Sequence, residues 1–166
     1  MSSKNISEKK SINIIEVYTD GSFMKRTGVK CGYGVYFPGK ELKNISKKFK
    51  KKPLTNQRAE LYAILKALKV IKEKLFFNEI HIYTDSEYSI KSLTEWIKGW
   101  KKNNWKSSKG KDVLNQDIIK KIDKILQKYP RQIKFTHVRS HTGKQDRHSL
   151  GNEEADKLAV NGALKE

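Results

Sequence analysis

Apolar residues recur along the chain at two spacings, and these spacings predict an alternation of strands and helices. Runs rich in β-branched and aromatic residues, bounded by turn residues, predict strands at 12–20, 32–37, 42–49, 80–84 and 133–138. Apolar residues three and four positions apart predict a helix that Thr55 or Asn56 caps and that continues to Ile71. Further helical stretches are predicted at 86 to about 100, 112–128 and 152 to about 163.

The order of these elements predicts an α/β fold with a five-stranded mixed sheet. The first three strands follow one another through short turns, such as Pro38-Gly39, and should form an antiparallel meander. The later strands alternate with helices, which is typical of parallel strands that helices flank. No repeat or linker divides the 166 residues, so we expect one domain, 12–166, after a flexible basic N-terminus, 1–11.

The chain is strongly basic, and its charge is unevenly placed. Thirty-six Lys and Arg residues oppose eighteen Asp and Glu residues, which leaves a net charge of +18. Such a surface attracts polyanions and releases their counterions on binding. Six lysines and no acid lie in the segment 98–111, in or beside which stand Trp96, Trp100 and Trp105. This mixture favours a nucleic-acid partner over the alternative of core tryptophans beside a solvated lysine face.

Cysteine content and hydropathy predict where the protein works. The single cysteine, Cys31, excludes a disulfide within the chain and a Cys-rich zinc site. We therefore expect a reducing, intracellular setting, either cytoplasm or nucleus. No apolar run reaches the roughly 18–20 residues of a membrane span, so no membrane partner is expected.

Four acidic residues stand out by their positions in the predicted elements. Asp20 and Asp85 end the first and fourth strands, Glu60 lies near a helix start, and Asp156 lies on the last helix. Ligand sites in α/β sheets favour strand ends and adjoining helix starts. Four converging carboxylates would need a counter-charge, which Mg²⁺ supplies where phosphate is the substrate. Each acid also has a simpler interpretation as a turn residue, first-turn helix charge, helix cap or surface charge, and spacing alone leaves the choice open.

Four short segments decide the matter, because together they resemble the metal-ligand motifs of type 1 ribonuclease H. They lie at 18–22, 55–61, 84–86 and 151–156 and read YTDGS, TNQRAEL, TDS and GNEEAD, in the family's order. The segment 96–106, WIKGWKKNNWK, is similar to the family's basic protrusion. One such motif would be weak evidence, whereas four in order span nearly the whole chain.

The resemblance implies a ribonuclease H-like fold, an active site and a reaction. Asp20, Glu60, Asp85 and Asp156 match the family's carboxylate quartet, which would hold two Mg²⁺ ions, with Mn²⁺ as a substitute. His141 matches a loop histidine that helps proton movement and product release. The implied enzyme is an endonuclease that hydrolyses the RNA strand of RNA–DNA hybrids, largely without sequence preference, and leaves 5′-phosphate and 3′-hydroxyl ends.

The resemblance also implies contacts to each strand of the hybrid. Asn56 and Gln57 match residues that read the RNA strand in the minor groove, where amides recognise the 2′-hydroxyl. Contacts to phosphate and deoxyribose of the DNA strand are implied for Thr55, Tyr88, Trp96 and Asn115. The basic protrusion would grip the hybrid through Lys98, Trp100, Lys101, Lys102, Trp105 and Lys106.

Two departures from the family pattern bear on these expectations. Pro53 stands where the phosphate pocket often has an arginine, and Lys52 is the neighbouring candidate to replace it. The loop after His141 is longer than in many members, and 144–148 looks like an insertion before Gly151. We therefore expect a long loop at 144–150 that affects the placement of His141.

Three rival functions fit parts of the same pattern. They are a ribonuclease H domain of a larger polymerase, another nuclease class on the same fold such as an integrase or Holliday-junction resolvase, and a non-catalytic hybrid-binding module. A chain that starts at Met1 and stops soon after its last helix favours a free-standing enzyme. We also expect the protein to be a monomer. The segment 55–60 and the protrusion argue against junction nucleases, and the four acids argue against a binding module. Primer removal, R-loop clearance and viral replication all remain open as physiological roles.

Overall fold

A five-stranded mixed sheet forms the centre of the computed structural model, which describes residues 9–25 and 27–166. The strands are β1 (Lys10–Met24), β2 (Lys30–Tyr36), β3 (Ile45–Lys48), β4 (Leu75–Thr84) and β5 (Ile133–His137), in the sheet order β3-β2-β1-β4-β5. The first three strands pair antiparallel, whereas β1 with β4 and β4 with β5 pair parallel. The predicted fold class is confirmed. Of the predicted flexible N-terminus, residues 1–8 lie outside the described residues.

Helices pack on both faces of this sheet. They are α1 (Asn56–Lys74), α2 (Glu87–Lys91), α3 (Ile97–Lys102), α4 (Gln116–Lys128) and α5 (Arg147–Ala163), with a wide π-helical turn, Ser92–Trp96, joining α2 to α3. Thr55 caps α1, because its hydroxyl accepts a hydrogen bond from the backbone N–H of Arg58 at 3.1 Å. None of the helices in the described part of the chain combines the length and apolarity needed to span a membrane.

The two faces of the sheet are packed differently. On one face, fully buried Ile15 and Ile82 meet the apolar stripe of α1, and α4 packs beside it. On the other face, Gly34 of β2 leaves no room for a side chain, since a Cβ there would lie 2.5 Å from the carbonyl oxygen of Ala155. Small residues therefore let α5 lie directly on β2, and this close packing fixes the helix that carries Asp156.

Several predicted strand boundaries were wrong. The strand predicted to end at Asp20 continues to Met24, because it still pairs with β2 there. The strand predicted at 42–49 shortens to Ile45–Lys48. Lys10 and Ser11 were predicted to belong to the flexible N-terminus. They lie instead in β1, where they pair with the start of β4.

Two helices also begin elsewhere than predicted. The helix predicted from 112 begins at Gln116, because Asn115 adopts a left-handed conformation with φ 65° and Lys106 bridges to Asp112 ahead of it. The helix predicted from 152 begins at Arg147, so the segment 144–150 is a loop only as far as Asp146.

Candidate active site

Adjacent parallel strands bring Asp20 and Asp85 together. Tyr18 of β1 pairs with Tyr83 of β4, and each aspartate lies two residues further along its own chain. Because side chains alternate along a strand, Tyr18 and Asp20 point to the same face. The two carboxylates therefore stand side by side where β4 ends, although β1 continues beyond.

A glycine contact adds Glu60 to this pair. A Cβ at Gly21 would lie 2.6 Å from the backbone nitrogen of Glu60, so only glycine lets β1 and α1 approach this closely. One oxygen from each of Asp20, Glu60 and Asp85 then lies within 4.8 Å of the others. Asp20 is 3% exposed and Glu60 is 6% exposed, so these two carboxylates are buried.

The helix α5 brings Asn152 and Asp156 to the edge of the cluster. The amide nitrogen of Asn152 donates to a carboxylate oxygen of Asp85 at 3.3 Å. Asp156 is one helical turn further on, and its charge contributes to raising the pKa of both Asp20 and Asp85. The structure thus brings all four predicted carboxylates together, with three in a tight set and Asp156 beside it.

The carboxylates resist ionisation in this setting. Burial and then the charge of Asp85 raise the pKa of Asp20 to about 8. Burial, followed by the charges of Asp20 and Asp85, raises the pKa of Glu60 well above its usual range. Burial also raises the pKa of Asp85, which the Asn152 amide and nearby His137 and His141 oppose. Like charges in a poorly solvated place therefore disfavour the ionised state unless a cation compensates them.

The donor set fits a hard divalent cation. All the ligating atoms are carboxylate oxygens, which Mg²⁺ and Mn²⁺ prefer over nitrogen or sulfur. One oxygen of Glu60 is buried without a hydrogen-bond partner among the described residues, and a buried polar atom of this kind calls for a ligand. Asp20, Glu60, Asp85 and Asp156 are therefore the residues that would hold such ions.

His141 lies beside this cluster, in the loop between β5 and α5. It is exposed, and its φ of 51° places it in the left-handed region that non-glycine residues seldom adopt. It lines a cleft of about 470 Å³ together with Asn152, Asp156 and two basic residues, Lys144 and Lys157. The His141 imidazole is therefore exposed at the rim of the acidic cluster.

Two residues for which the sequence predicted no role, His137 and Asn152, contact Asp85. His137 was predicted to lie within a strand without a role, yet its Nε2 lies 3.2 Å from the Asp85 carbonyl oxygen. Asn152 stood inside the recognised motif but received no role. Its spacing of four residues from Asp156 was the available signal, because that spacing puts both side chains on one helix face.

Three of the four residues predicted to contact the DNA strand, Tyr88, Trp96 and Asn115, lie in contact with one another. The amide nitrogen of Asn115 donates to the hydroxyl of Tyr88 at 2.8 Å. The ring of Tyr88 in turn meets that of Trp96 with 6.0 Å between centroids. Asn56 and Gln57 are exposed in the first turn of α1, the turn that also leads to Glu60.

Arg58 received no role from the sequence, yet it contacts Asn115 and Asp117 beside these residues. Its guanidinium is buried, donates to both carboxylate oxygens of Asp117 at 2.8 Å each, and lies 3.5 Å from the side-chain oxygen of Asn115. It also donates to the backbone carbonyls of Lys51 and Lys52. These bonds hold the backbone of the loop 51–52 against the first turn of α1.

The basic protrusion is partly a packed structure. Trp100 and Trp105 are half-buried and their rings lie 6.2 Å apart, so they support the segment from beneath. Lys101 and Lys106 form ion pairs with Asp123 at 2.7 Å and Asp112 at 2.5 Å. The remaining predicted members, Lys98, Lys102 and the 43% exposed Trp96, present the accessible surface.

Comparisons with known proteins bear directly on this arrangement. The family model described as RNase H matches residues 12–164. The chain belongs to the ribonuclease H family. Ribonuclease H of Actinobacillus succinogenes is 40% identical over 150 residues, which cover 90% of this chain and 89% of that protein. Ribonuclease H1 of Homo sapiens is 40% identical over 154 residues, covering 91% of this chain and 50% of the human protein.

The solved structures agree with this assignment. The solution structure of the PFV RNase H domain superposes with a TM-score of 0.73 at 28% identity, over 90% of this chain and 93% of that one. The predicted ribonuclease H family is therefore confirmed together with the fold. The chain spans 49–61% of the length of the mimivirus and mammalian ribonucleases H that it matches.

Proposed function

We propose that this ribonuclease H family member hydrolyses the RNA strand of RNA–DNA hybrids with the help of two divalent cations. The observation that carries the proposal is the convergence of Asp20, Glu60 and Asp85 within 4.8 Å, with Asp156 beside them. Mg²⁺ bound there would supply an activated water and neutralise charge on the leaving 3′ oxygen. Product ends would be a 5′ phosphate and a 3′ hydroxyl.

The chain's own residues would orient the site and move protons. Asn152 would restrain the Asp85 carboxylate through the hydrogen bond that its amide donates to one carboxylate oxygen. His141 at the rim of the cleft would accept or deliver the proton that accompanies product release. The exposed position of His141 suits this role, because the imidazole exchanges protons with bulk water.

Strand discrimination would come from the surface around the start of α1. Asn56 and Gln57 would meet the 2′-hydroxyls of the RNA strand, since an amide both donates and accepts hydrogen bonds. Tyr88 and Trp96 would pack on deoxyribose of the DNA strand, where a 2′-hydroxyl would collide. Thr55, Asn115 and Lys52 would hold a DNA phosphate. We further propose that the protein acts as a monomer and inside the cell.

A strand-labelled cleavage assay tests this proposal. With Mg²⁺ present, the labelled RNA strand of a hybrid should be cut at many positions, and EDTA should stop the cutting. The labelled DNA strand, duplex RNA, duplex DNA and a four-way junction should stay intact. Cutting of the junction instead would favour a resolvase, and tight hybrid binding without cutting would favour a binding module.

The protrusion makes a separate prediction about salt dependence. Lys98→Ala combined with Lys102→Ala should reduce the slope of log binding constant against log salt concentration by about 0.9 for each lost phosphate contact. The reason is that Lys98 and Lys102, which have no ion-pair partner among the described residues, would each displace a counterion from a phosphate of the hybrid on binding. The measurement is a hybrid-binding titration in EDTA at several salt concentrations.

A matched control separates local contacts from net charge. Lys69→Ala with Lys74→Ala removes the same charge from exposed positions near the far end of α1. It should change the salt slope little, because those lysines lie away from the proposed interface. An equal loss of slope in both double variants would remove the protrusion from the proposed interface.

A further inference from the structure

The first turn of α5, residues 147–150, is attached to β1 and β4 on the face of the sheet that α5 covers. One guanidinium nitrogen of Arg147 donates to both carboxylate oxygens of Glu16 at 2.7 Å, and the hydroxyl of Tyr83 donates to the same carboxylate at 2.8 Å. This turn is the N-terminal end of the helix that carries Asp156.

His148 makes the buried part of this attachment. Its Nδ1 shares a hydrogen bond of 2.7 Å with the hydroxyl of Tyr18, a residue only 1% exposed. The His148 ring also packs against Tyr83, with 4.6 Å between ring centroids, and the two tyrosines stack on each other at 4.8 Å. A hydrogen bond and ring contacts in a buried place define a single orientation of the helix.

The tyrosines and the carboxylates form two successive layers. Tyr18 lies two residues before Asp20 on β1, and Tyr83 lies two residues before Asp85 at the end of β4, so each pair shares one face of the sheet. The helix repeats this arrangement. The residues of α5 that face the two layers are spaced by four, which places them along one side of the helix: His148, Asn152 and Asp156.

Two further contacts connect this turn to the active site. Gly151 lies against the ring of Tyr18, and a Cβ there would collide with the ring carbons. The hydroxyls of Thr142 and Ser149 lie 2.8 Å apart, which links the loop of His141 to the same turn. The first turn of α5 is therefore linked both to the ring of Tyr18 and to the loop that carries His141.

We propose that His148, held by Tyr18, is a positioning residue that sets the rotation of α5 and so keeps Asn152 and Asp156 on the carboxylate cluster. The catalytic consequence rests on the proposed function, whereas the effect on cation binding does not. Losing the attachment would let α5 rotate or shift at its N-terminal end. Because carboxylate ligands tolerate little displacement, the cost would fall on cation affinity before it fell on hybrid binding.

The test measures Mg²⁺ and Mn²⁺ binding to the free protein by calorimetry. His148→Leu should weaken binding by about tenfold, as is usual for partners that orient a metal ligand. His148→Asn should restore most of the affinity, because its side-chain amide places a polar atom near the position of Nδ1. Tyr18→Phe removes only the hydroxyl and should weaken binding to a similar degree, and adding His148→Leu to it should produce little further loss.

Stability controls separate positioning from general loosening. Ile71→Val removes one buried methylene from α1 at a distance from the site and should lower the thermal midpoint without changing cation affinity. Should His148→Leu and Tyr18→Phe bind Mg²⁺ as the unmodified protein does, the attachment would be merely structural and the proposal overturned. Tyr18→Phe keeps the ring stack and answers the question even where His148→Leu does not fold.

Cleavage kinetics give the second readout. The Mg²⁺ concentration for half-maximal hybrid cleavage should rise by the same factor in His148→Leu, while the KM for hybrid stays unchanged. A changed KM with an unchanged Mg²⁺ requirement would contradict the positioning role. If the unmodified protein does not cut hybrid at all, the proposed function fails, but the calorimetric comparison still decides whether His148 positions the cluster.

Discussion

Asp20→Asn should reduce cleavage of the RNA strand by about 10³-fold or more while leaving hybrid binding in EDTA largely intact. A bound metal ion contributes several kcal/mol of charge stabilisation to a phosphoryl transition state, and each 1.4 kcal/mol corresponds to a factor of ten. Losing an anionic ligand would weaken or displace that ion. An amide has nearly the same shape but no charge, so the cluster would lose one anionic ligand without a cavity. Asp85→Asn should behave in the same way, because its carboxylate belongs to the same tight set.

Single-turnover cleavage of a labelled hybrid over a range of Mg²⁺ concentrations is the measurement. Glu153→Gln provides the matched control, since it neutralises an exposed acid on α5 that lines the neighbouring cleft. That variant should cut at close to the normal rate. Retention of a tenth or more of the rate by Asp20→Asn at saturating Mg²⁺ would exclude it from the reacting centre.

The contribution of Asp20 to the stability of the protein in EDTA should decrease as the pH rises from about 4 to about 8, and Asp20→Asn should remove this contribution. The pKa of Asp20 is about 8 in the folded chain, whereas an unfolded chain has an ordinary aspartate pKa of about 3.9. Between these values the folded state binds more protons than the unfolded state. The stability that protonated Asp20 contributes is therefore fully present below pH 4. It is lost as the pH rises through 8, by on the order of several kcal/mol.

Urea unfolding at pH 5 and at pH 8 measures this effect, and the comparison with Asp20→Asn isolates it from other titrating groups. At pH 8 in EDTA the variant should be the more stable protein, because position 20 no longer carries a buried carboxylate that must ionise. Adding Mg²⁺ at pH 8 should stabilise the unmodified protein more than the variant, since only the folded cluster binds the cation. An identical pH dependence of the two proteins would show that Asp20 ionises normally in the folded chain.

These two expectations have one physical origin. The carboxylates stand close together in a poorly solvated place, which makes them costly without a cation and effective with one. The repulsion that lowers the free energy of unfolding in the metal-free protein is the same repulsion that favours binding of a divalent ion. Activity and metal-free stability should therefore change in opposite directions in the Asp20→Asn variant.

Much of the fold followed from local patterns. Runs of β-branched and aromatic residues located the five strands, and the apolar spacing from Leu61 to Ile71 located α1, because these patterns reflect which residues of each element are buried. Element ends were less predictable. α4 starts late because Asn115 adopts a left-handed conformation, and β1 runs through Asp20-Gly21 because β2 continues to pair with it.

The acidic cluster could be anticipated, whereas its supports could not. Asp20, Glu60, Asp85 and Asp156 lie in short motifs that the family resemblance located, and the structure brings them together. Arg58 lies inside one of those motifs, yet its bonds to Asp117 join residues 59 positions apart. Contacts at such separations leave no periodic signal in the sequence, because either partner alone has an ordinary local role.

The sequence by itself determined the order of the elements, the basic character of the surface and the identity of the acidic residues. Only the tertiary structure decided where α5 begins and which way it faces, because that depends on Tyr18, which meets His148 across 130 positions of chain. The physical reason is that secondary structure depends on neighbours in sequence, whereas burial, close approach at glycine and shared hydrogen bonds exist only once distant segments have packed.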